Sequence, residues 1–187
     1  MKTLLVVKCG STLPELRARR GDYEDWIVAG MGLAPERARV VAPPEGAELP
    51  NPGDVPAVVL TGSSAMVSAR EAWSERTAVW LRRVVAVGTP LLGICYGHQL
   101  LAHALGGRVA ANPRGREIGT VHVRVVAHEP RDAVFEGLDD SFVANHSHVD
   151  SVVELPPGAR VLAETDLEKH AAFSVGERVK CVQFHPE

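Results

Sequence analysis

Long hydrophobic runs are missing from this chain. No stretch approaches the roughly 20 apolar residues that cross a bilayer, and the N-terminal MKTLLVVKCG has only a brief apolar run before Lys8, too short for a secretory signal. Aromatic residues are scarce, at 5%. Cysteine is scarcer still: Cys9, Cys95 and Cys181 stand far apart with no C-x-x-C spacing, which excludes a thiolate zinc site and a disulfide scaffold and leaves three free thiols. Neither sign of charge dominates, with 20 Lys and Arg against 23 Asp and Glu. The basic residues are scattered, so neither nucleic acid nor a membrane surface is an expected partner. Low-complexity tracts, repeats and linkers are also absent, and ELPNPGDVP reads as a surface turn. What these absences leave is a cytoplasmic globular protein, one domain over residues 1–187, with 45% hydrophobic residues from which to build a core.

Short apolar segments supply the framework. Leu4 to Val7, Arg39 to Ala42, Pro56 to Leu60 and Pro90 to Ile94 are compact, partly β-branched runs ended by Gly, Pro or Thr-Gly, as expected of buried parallel strands. Between the third and fourth, Trp73, Thr77, Trp80, Leu81 and Val84 recur at helical spacing. Ser68 and Glu71 are placed to form a capping box at the start of that helix, and Gly88 to close its end. A second helix follows in HQLLAHALGG, with Leu100/Ala104 and Leu101/Leu105 one turn apart and Gly106 as terminator. Thr120 to Ala127, Ala159 to Ala163, Ala171 to Val175 and Val179 to Phe184 read as shorter strands. The first half thus forms βαβ units and the second adds antiparallel strands, an open, mostly parallel α/β sheet flanked by helices.

Cys95 occupies the most informative stretch, LLGICYGHQLLAHALGG. A buried strand runs into Gly93-Ile94-Cys95-Tyr96-Gly97 and directly into a helix, so Cys95 sits on a tight strand-to-helix turn. Flanking glycines permit such an elbow, which presents its side chain at the carboxyl end of the strand. A thiol at a helix N-terminus also feels a positive partial charge that favours thiolate. Cys9 and Cys181 lie inside apolar runs and read as core residues.

A thiol nucleophile needs a base within hydrogen-bond reach, and the base needs a third group to hold its ring. VKCVQFHPE supplies both just beyond a strand: His185 as base, Glu187 as orienter, with Pro186 restricting how they diverge. His146 and His148 alternate on one face and invite a metal reading, but no third ligand stands at useful spacing, so no metal is expected. His98 and His103 read as ordinary surface residues of the second helix.

With these residues in view the chain resembles the class I (triad) glutamine amidotransferases. G-I-C-Y-G-H-Q-L-L at 93–101 and Q-F-H-P-E at 183–187 are similar to the nucleophile elbow and the terminal His and Glu of the glutaminase part of GMP synthetase. R-E-I-G at 116–119 and S-H-V-D at 147–150 are similar to its glutamine-pocket segments, in the same order along the chain. The resemblance implies a flavodoxin-like sheet, no cofactor, and hydrolysis of glutamine to glutamate and ammonia through a γ-glutamyl thioester on Cys95. It further implies an oxyanion site from the backbone N–H groups of Tyr96 and of the turn at Gly62 and Ser63, and substrate contacts from Gln99, Ser147 and His148.

Three departures accompany it. The third-strand turn reads Thr61-Gly62-Ser63-Ser64 in place of Gly-Gly-Pro, Val149 replaces a glycine, and the chain stops at Glu187 where relatives continue into a closing helix. No phosphate-binding glycine loop occurs, so the ammonia is expected either to pass to a separate synthetase subunit or to be released by a standalone hydrolase. A standalone γ-glutamyl peptidase, cleaving glutathione-like compounds by the same carbonyl chemistry, is the principal alternative. A non-catalytic module would predict a broken triad, whereas Cys95, His185 and Glu187 are all present. A cysteine peptidase of the intracellular kind fits neither His-Pro-Glu nor Arg-Glu-Ile-Gly.

Overall fold

The computed structural model describes residues 3–127 and 131–187. In chain order the elements are β1 (Leu4–Val7), α1 (Pro14–Arg20), α2 (Tyr23–Gly30), β2 (Ala38–Val41), β3 (Val58–Leu60), α3 (Ala72–Ala86), β4 (Leu91–Ile94) and α4 (Tyr96–Ala104). The second half supplies β5 (Arg108–Ala111), β6 (Glu117–Val125), β7 (Ser141–His148), β8 (Asp150–Glu154), β9 (Ala159–Glu164), β10 (Ala172–Val175) and β11 (Val179–Val182).

Among the described residues, nine strands form one sheet in the order β2-β1-β3-β4-β11-β10-β9-β6-β7. Its first five are parallel neighbours and the rest pair antiparallel. Tracing these pairings, β9 and β7 point the same way as the parallel five, so the sheet is mostly parallel in direction, as expected. β5 and β8 form a separate antiparallel ribbon. β11 is the structural hinge: it returns from the far end of the chain to lie parallel beside β4, with Cys181 opposite Gly93 and Val182 opposite Ile94. The chain's last residues therefore emerge beside the end of β4.

Each face of the sheet has its own core. α3 and α4 pack Trp80, Leu81, Val84, Leu100 and Leu101 over one face, and α2 brings Ile27 to the other, against Val59, Ile94 and Phe184. α4 is buried on almost all sides, and His98 is fully buried beside Phe173, with ring centroids 4.9 Å apart. This corrects its reading as a surface residue: a helix enclosed all round has no solvated face to offer.

The expected capping box of α3 is also not formed. Ser68 lies in a 3-10 turn, Val67–Ala69, Arg70 follows in the left-handed region at φ 56°, and the helix starts at Ala72 with no side-chain cap from Glu71. A tertiary acceptor wins instead, because the Ser68 backbone N–H donates to the Asp150 carboxylate at 3.0 Å.

α1, α2, β5, β7 and β8 carry no clear sequence signal. α2 is fixed by long-range polar contacts: Asp22 caps it reciprocally with Asp25, and Lys8, at the end of β1, donates to Asp22 at 2.8 Å and to Glu24 at 2.5 Å.

Candidate active site

Cys95 is the N-cap of α4 and holds φ 51°, ψ −101°, a region sparsely populated by residues with a side chain and costing on the order of 1–3 kcal/mol. The strain sits on the cysteine itself rather than on its glycines. Those serve close approach: a Cβ on Gly97 would lie 2.5 Å from Leu60 Cβ and 2.8 Å from Leu60 O, and one on Gly93 would meet Gly97 O at 2.6 Å. The turn is pinned from both neighbours, since Cys95 N–H donates to Val182 O at 2.9 Å and Gly97 N–H to Thr61 O at 3.2 Å.

His185 follows β11 and is tied to β7, its N–H donating to Asn145 O at 2.9 Å. Its Nδ1–H donates to Glu187 Oε1 at 2.7 Å, and the Glu187 side chain is buried. The Nε2 side of the ring and Cys95 Cβ both border Gly62. Burial alone would depress the imidazole pKa, but the nearness of Cys95 and Glu187 outweighs it and raises it to about 10. Gly62 makes the approach possible: a Cβ there would lie 2.8 Å from His185 Cε1 and 3.7 Å from Cys95 Cβ. Tyr23 covers the imidazole, stacked at 5.7 Å between centroids and 27° between planes.

A cavity of about 170 Å³ opens beside Cys95, well under the roughly 300–1,000 Å³ of sites for drug-sized ligands and suited to one amino acid. Ser63, Tyr96, Gln99, Ser147 and His148 all line it, so the structure gathers these expected residues around one space. Gly62 packs instead against His185. The Gly62–Ser63 peptide is held by Thr61, whose hydroxyl accepts from Cys9 N–H at 3.0 Å and donates to Gly62 O at 2.9 Å. Because N–H and C=O of a trans peptide point in opposite directions, Ser63 N–H is turned away from that interior contact. Gln99 commits its side-chain amide to Asp150 O at 2.8 Å and Gln183 Oε1 at 2.9 Å. It braces the cavity wall, and its own oxygen is what it has left to offer.

Sequence reasoning quoted Arg116 and Asp150 only as the ends of the R-E-I-G and S-H-V-D segments, though both line the cavity, and passed over Tyr23, which no local pattern marks. It also missed that Glu117 is the third neighbour of His146 and His148. The three are buried with one ligand atom from each within 4.8 Å of the others.

Comparison with known proteins gives a consistent result. The family model for Glutamine amidotransferase class-I matches residues 45–187. The chain is 33% identical to the GMP synthase [glutamine-hydrolyzing] of Aquifex aeolicus over 187 residues, covering 100% of this chain and 33% of that protein. It is 38% identical to the enzyme of the same description from Caldicellulosiruptor saccharolyticus over 131 residues, 70% of this chain and 24% of that one. The chain thus spans a third or less of these relatives' length. Among solved structures, a glutamine amido transferase from Methylobacillus flagellatus superposes with a TM-score of 0.81 at 22% identity, covering 99% of this chain and 70% of that one, a likeness of fold.

Proposed function

The chain belongs to the class I glutamine amidotransferases, and from that membership we propose that it hydrolyses glutamine to glutamate and ammonia through a γ-glutamyl thioester on Cys95. The observation that carries this reading is the placing of the His185 imidazole between Glu187, 2.7 Å away, and Cys95 on its strained elbow.

Cys95 Sγ attacks the γ-carboxamide carbon, with the cysteine proton held on His185 and Glu187 fixing the ring. The carbonyl π-electrons move to oxygen, and backbone N–H groups of Tyr96 and Ser63 receive the oxyanion, each such donor contributing on the order of 3 kcal/mol to barrier lowering. Collapse breaks the C–N bond as the imidazolium protonates the leaving nitrogen, which departs as ammonia. His185, raised to about 10, keeps that proton available at neutral pH. Water then attacks the thioester carbon, His185 takes its proton and returns it to sulfur, and glutamate leaves. Arg116 at the cavity offers a cation for the substrate's α-carboxylate, and the backbone at Ser147 and His148 offers polar groups for its amino-acid end. The ammonia passes to an acceptor outside these residues, a synthetase of the GMP synthase kind.

The test is release of ammonia and glutamate from glutamine by the wild type and by Cys95→Ala. Turnover in the wild type that is lost in the variant supports the proposal. Turnover of γ-glutamyl peptides alone reassigns the leaving group to a peptidase, and no turnover of either removes the enzyme reading. A glutamine-like electrophile should also label Cys95 ahead of Cys9 and Cys181. Burial holds both of those thiols un-ionised, Cys9 being pushed up to about 12 and Cys181 well above the ordinary thiol value.

A further inference from the structure

Glu117 on β6 stands opposite His148 on β7 in the strand register, and His146 shares a face of β7 with His148. All three side chains are buried. Glu117 Oε2 lies 2.9 Å from His146 Nδ1 and 3.1 Å from His148 Nε2, while its Oε1 accepts from the Thr165 hydroxyl at 2.6 Å. His148 Nδ1 is 2.9 Å from the Asp150 carbonyl and must carry a proton to bond it. In a neutral ring the Nε2 lone pair is then aimed at a carboxylate oxygen, acceptor against acceptor. His146 is worse placed: its Nδ1 is near Glu117 but out of line for a hydrogen bond, and its Nε2 is buried with no partner. What these converging atoms share is the lack of a positive centre.

We propose that Glu117, His146 and His148 form a binding site for a zinc-class divalent metal ion, of which His148 also lines the cavity beside Cys95. Two imidazoles and one carboxylate suit zinc and its neighbours, whereas magnesium and calcium favour all-oxygen cages. The Asp150 carbonyl already fixes the His148 tautomer that leaves Nε2 free for a metal. Zinc about 2.0–2.1 Å from each donor would set tetrahedral donor pairs roughly 3.3–3.4 Å apart. The two pairs involving Glu117, at 2.9 and 3.1 Å, lie a few tenths of an ångström inside that spacing, and the imidazole pair starts no more than 4.8 Å apart. Three protein ligands leave a fourth position for water or another small ligand, as in exchangeable rather than closed zinc sites. This inference stands independently of the glutaminase reading.

The test uses the full chain as Cys95→Ala, so that no thiol at the cavity competes. Chelator-stripped protein is titrated with Zn²⁺ against a colorimetric indicator, and with Co²⁺ for the visible absorption of a tetrahedral nitrogen and oxygen site. One equivalent is expected, unaffected by Mg²⁺ and weakened at least about tenfold by His146→Leu or Glu117→Gln. Circular dichroism shows which of these variants remain folded. Less than one equivalent, or undiminished affinity in a folded variant, overturns the site. Should both variants unfold, imidazole NMR of the Cys95→Ala protein decides: zinc must shift His146 and His148, and shifts confined to other histidines overturn the proposal.

Discussion

The parallel and antiparallel ends of the sheet are made from different kinds of sequence and contribute different things to the site. β1, β3 and β4 are unbroken apolar segments with helices over both faces, and Val6, Val7 and Leu60 have no measurable exposure. β7 reads Ser-Phe-Val-Ala-Asn-His-Ser-His, forms the sheet's edge and alternates exposed with more buried positions. The parallel end supplies a rigid elbow on which Cys95 can be strained. The antiparallel end supplies the polar cavity wall and, through Asn145, the strand against which His185 is held. Cys95 and His185 come together where the two ends meet, along β4 and β11.

Breaking the rigid side should have the largest effect. Cys95→Ala is expected to reduce glutamine turnover by about 10⁴-fold or more, measured as ammonia release, with the melting temperature little changed. Glu187→Gln follows, with a loss of about 10²–10⁴-fold, because the imidazole loses its orienting acceptor. In the same variant the His185 pKa should fall from about 10, read by NMR of the ring. Gly62→Ala comes next: the added methyl, 2.8 Å from His185 Cε1, displaces the ring and should cost about 10²-fold in rate, seen in kcat more than in stability.

Stability separates the two ends directly. Val6→Ala, with no exposed surface, should cost about 2–4 kcal/mol in urea unfolding. Val143→Ala on β7, where the side chain is 57% exposed, should stay within about 0.5 kcal/mol. The smallest expected effect is on pH dependence. The folded-state pKa of His185 is raised to about 10, so its charged form stabilises the fold. That contribution is whole below about 6.5 and is lost as pH climbs through about 10. The urea midpoint of the wild type should therefore fall over that window by more than that of Glu187→Gln.

The strands of the parallel end were legible because both faces of each are buried, and an apolar run bounded by Gly or Pro has few other readings. Leu4 to Val7 is read to the residue, and β3 and β4 to within two. β7 was not legible, since an exposed edge strand needs no apolar pattern. α2 is set by Lys8, Asp22 and Glu24 across more than ten residues of chain, a distance at which no periodicity operates. The expected capping box of Ser68 failed for a related reason, its N–H being claimed by Asp150, 82 positions away in sequence.

By itself the sequence determined the elbow at Cys95, the adjacent His185 and Glu187, the strand-and-helix alternation and the motifs that mark the family. These are local, because glycine tolerance, apolar runs and residue spacing act within a few residues. Only the tertiary structure decided that β11 returns beside β4 to bring His185 to Cys95, that Tyr23 covers the imidazole, and that Glu117 completes a cluster with His146 and His148. Each of these depends on strand register and chain return, which are fixed by the packing of the whole sheet and leave no mark in any short stretch of residues.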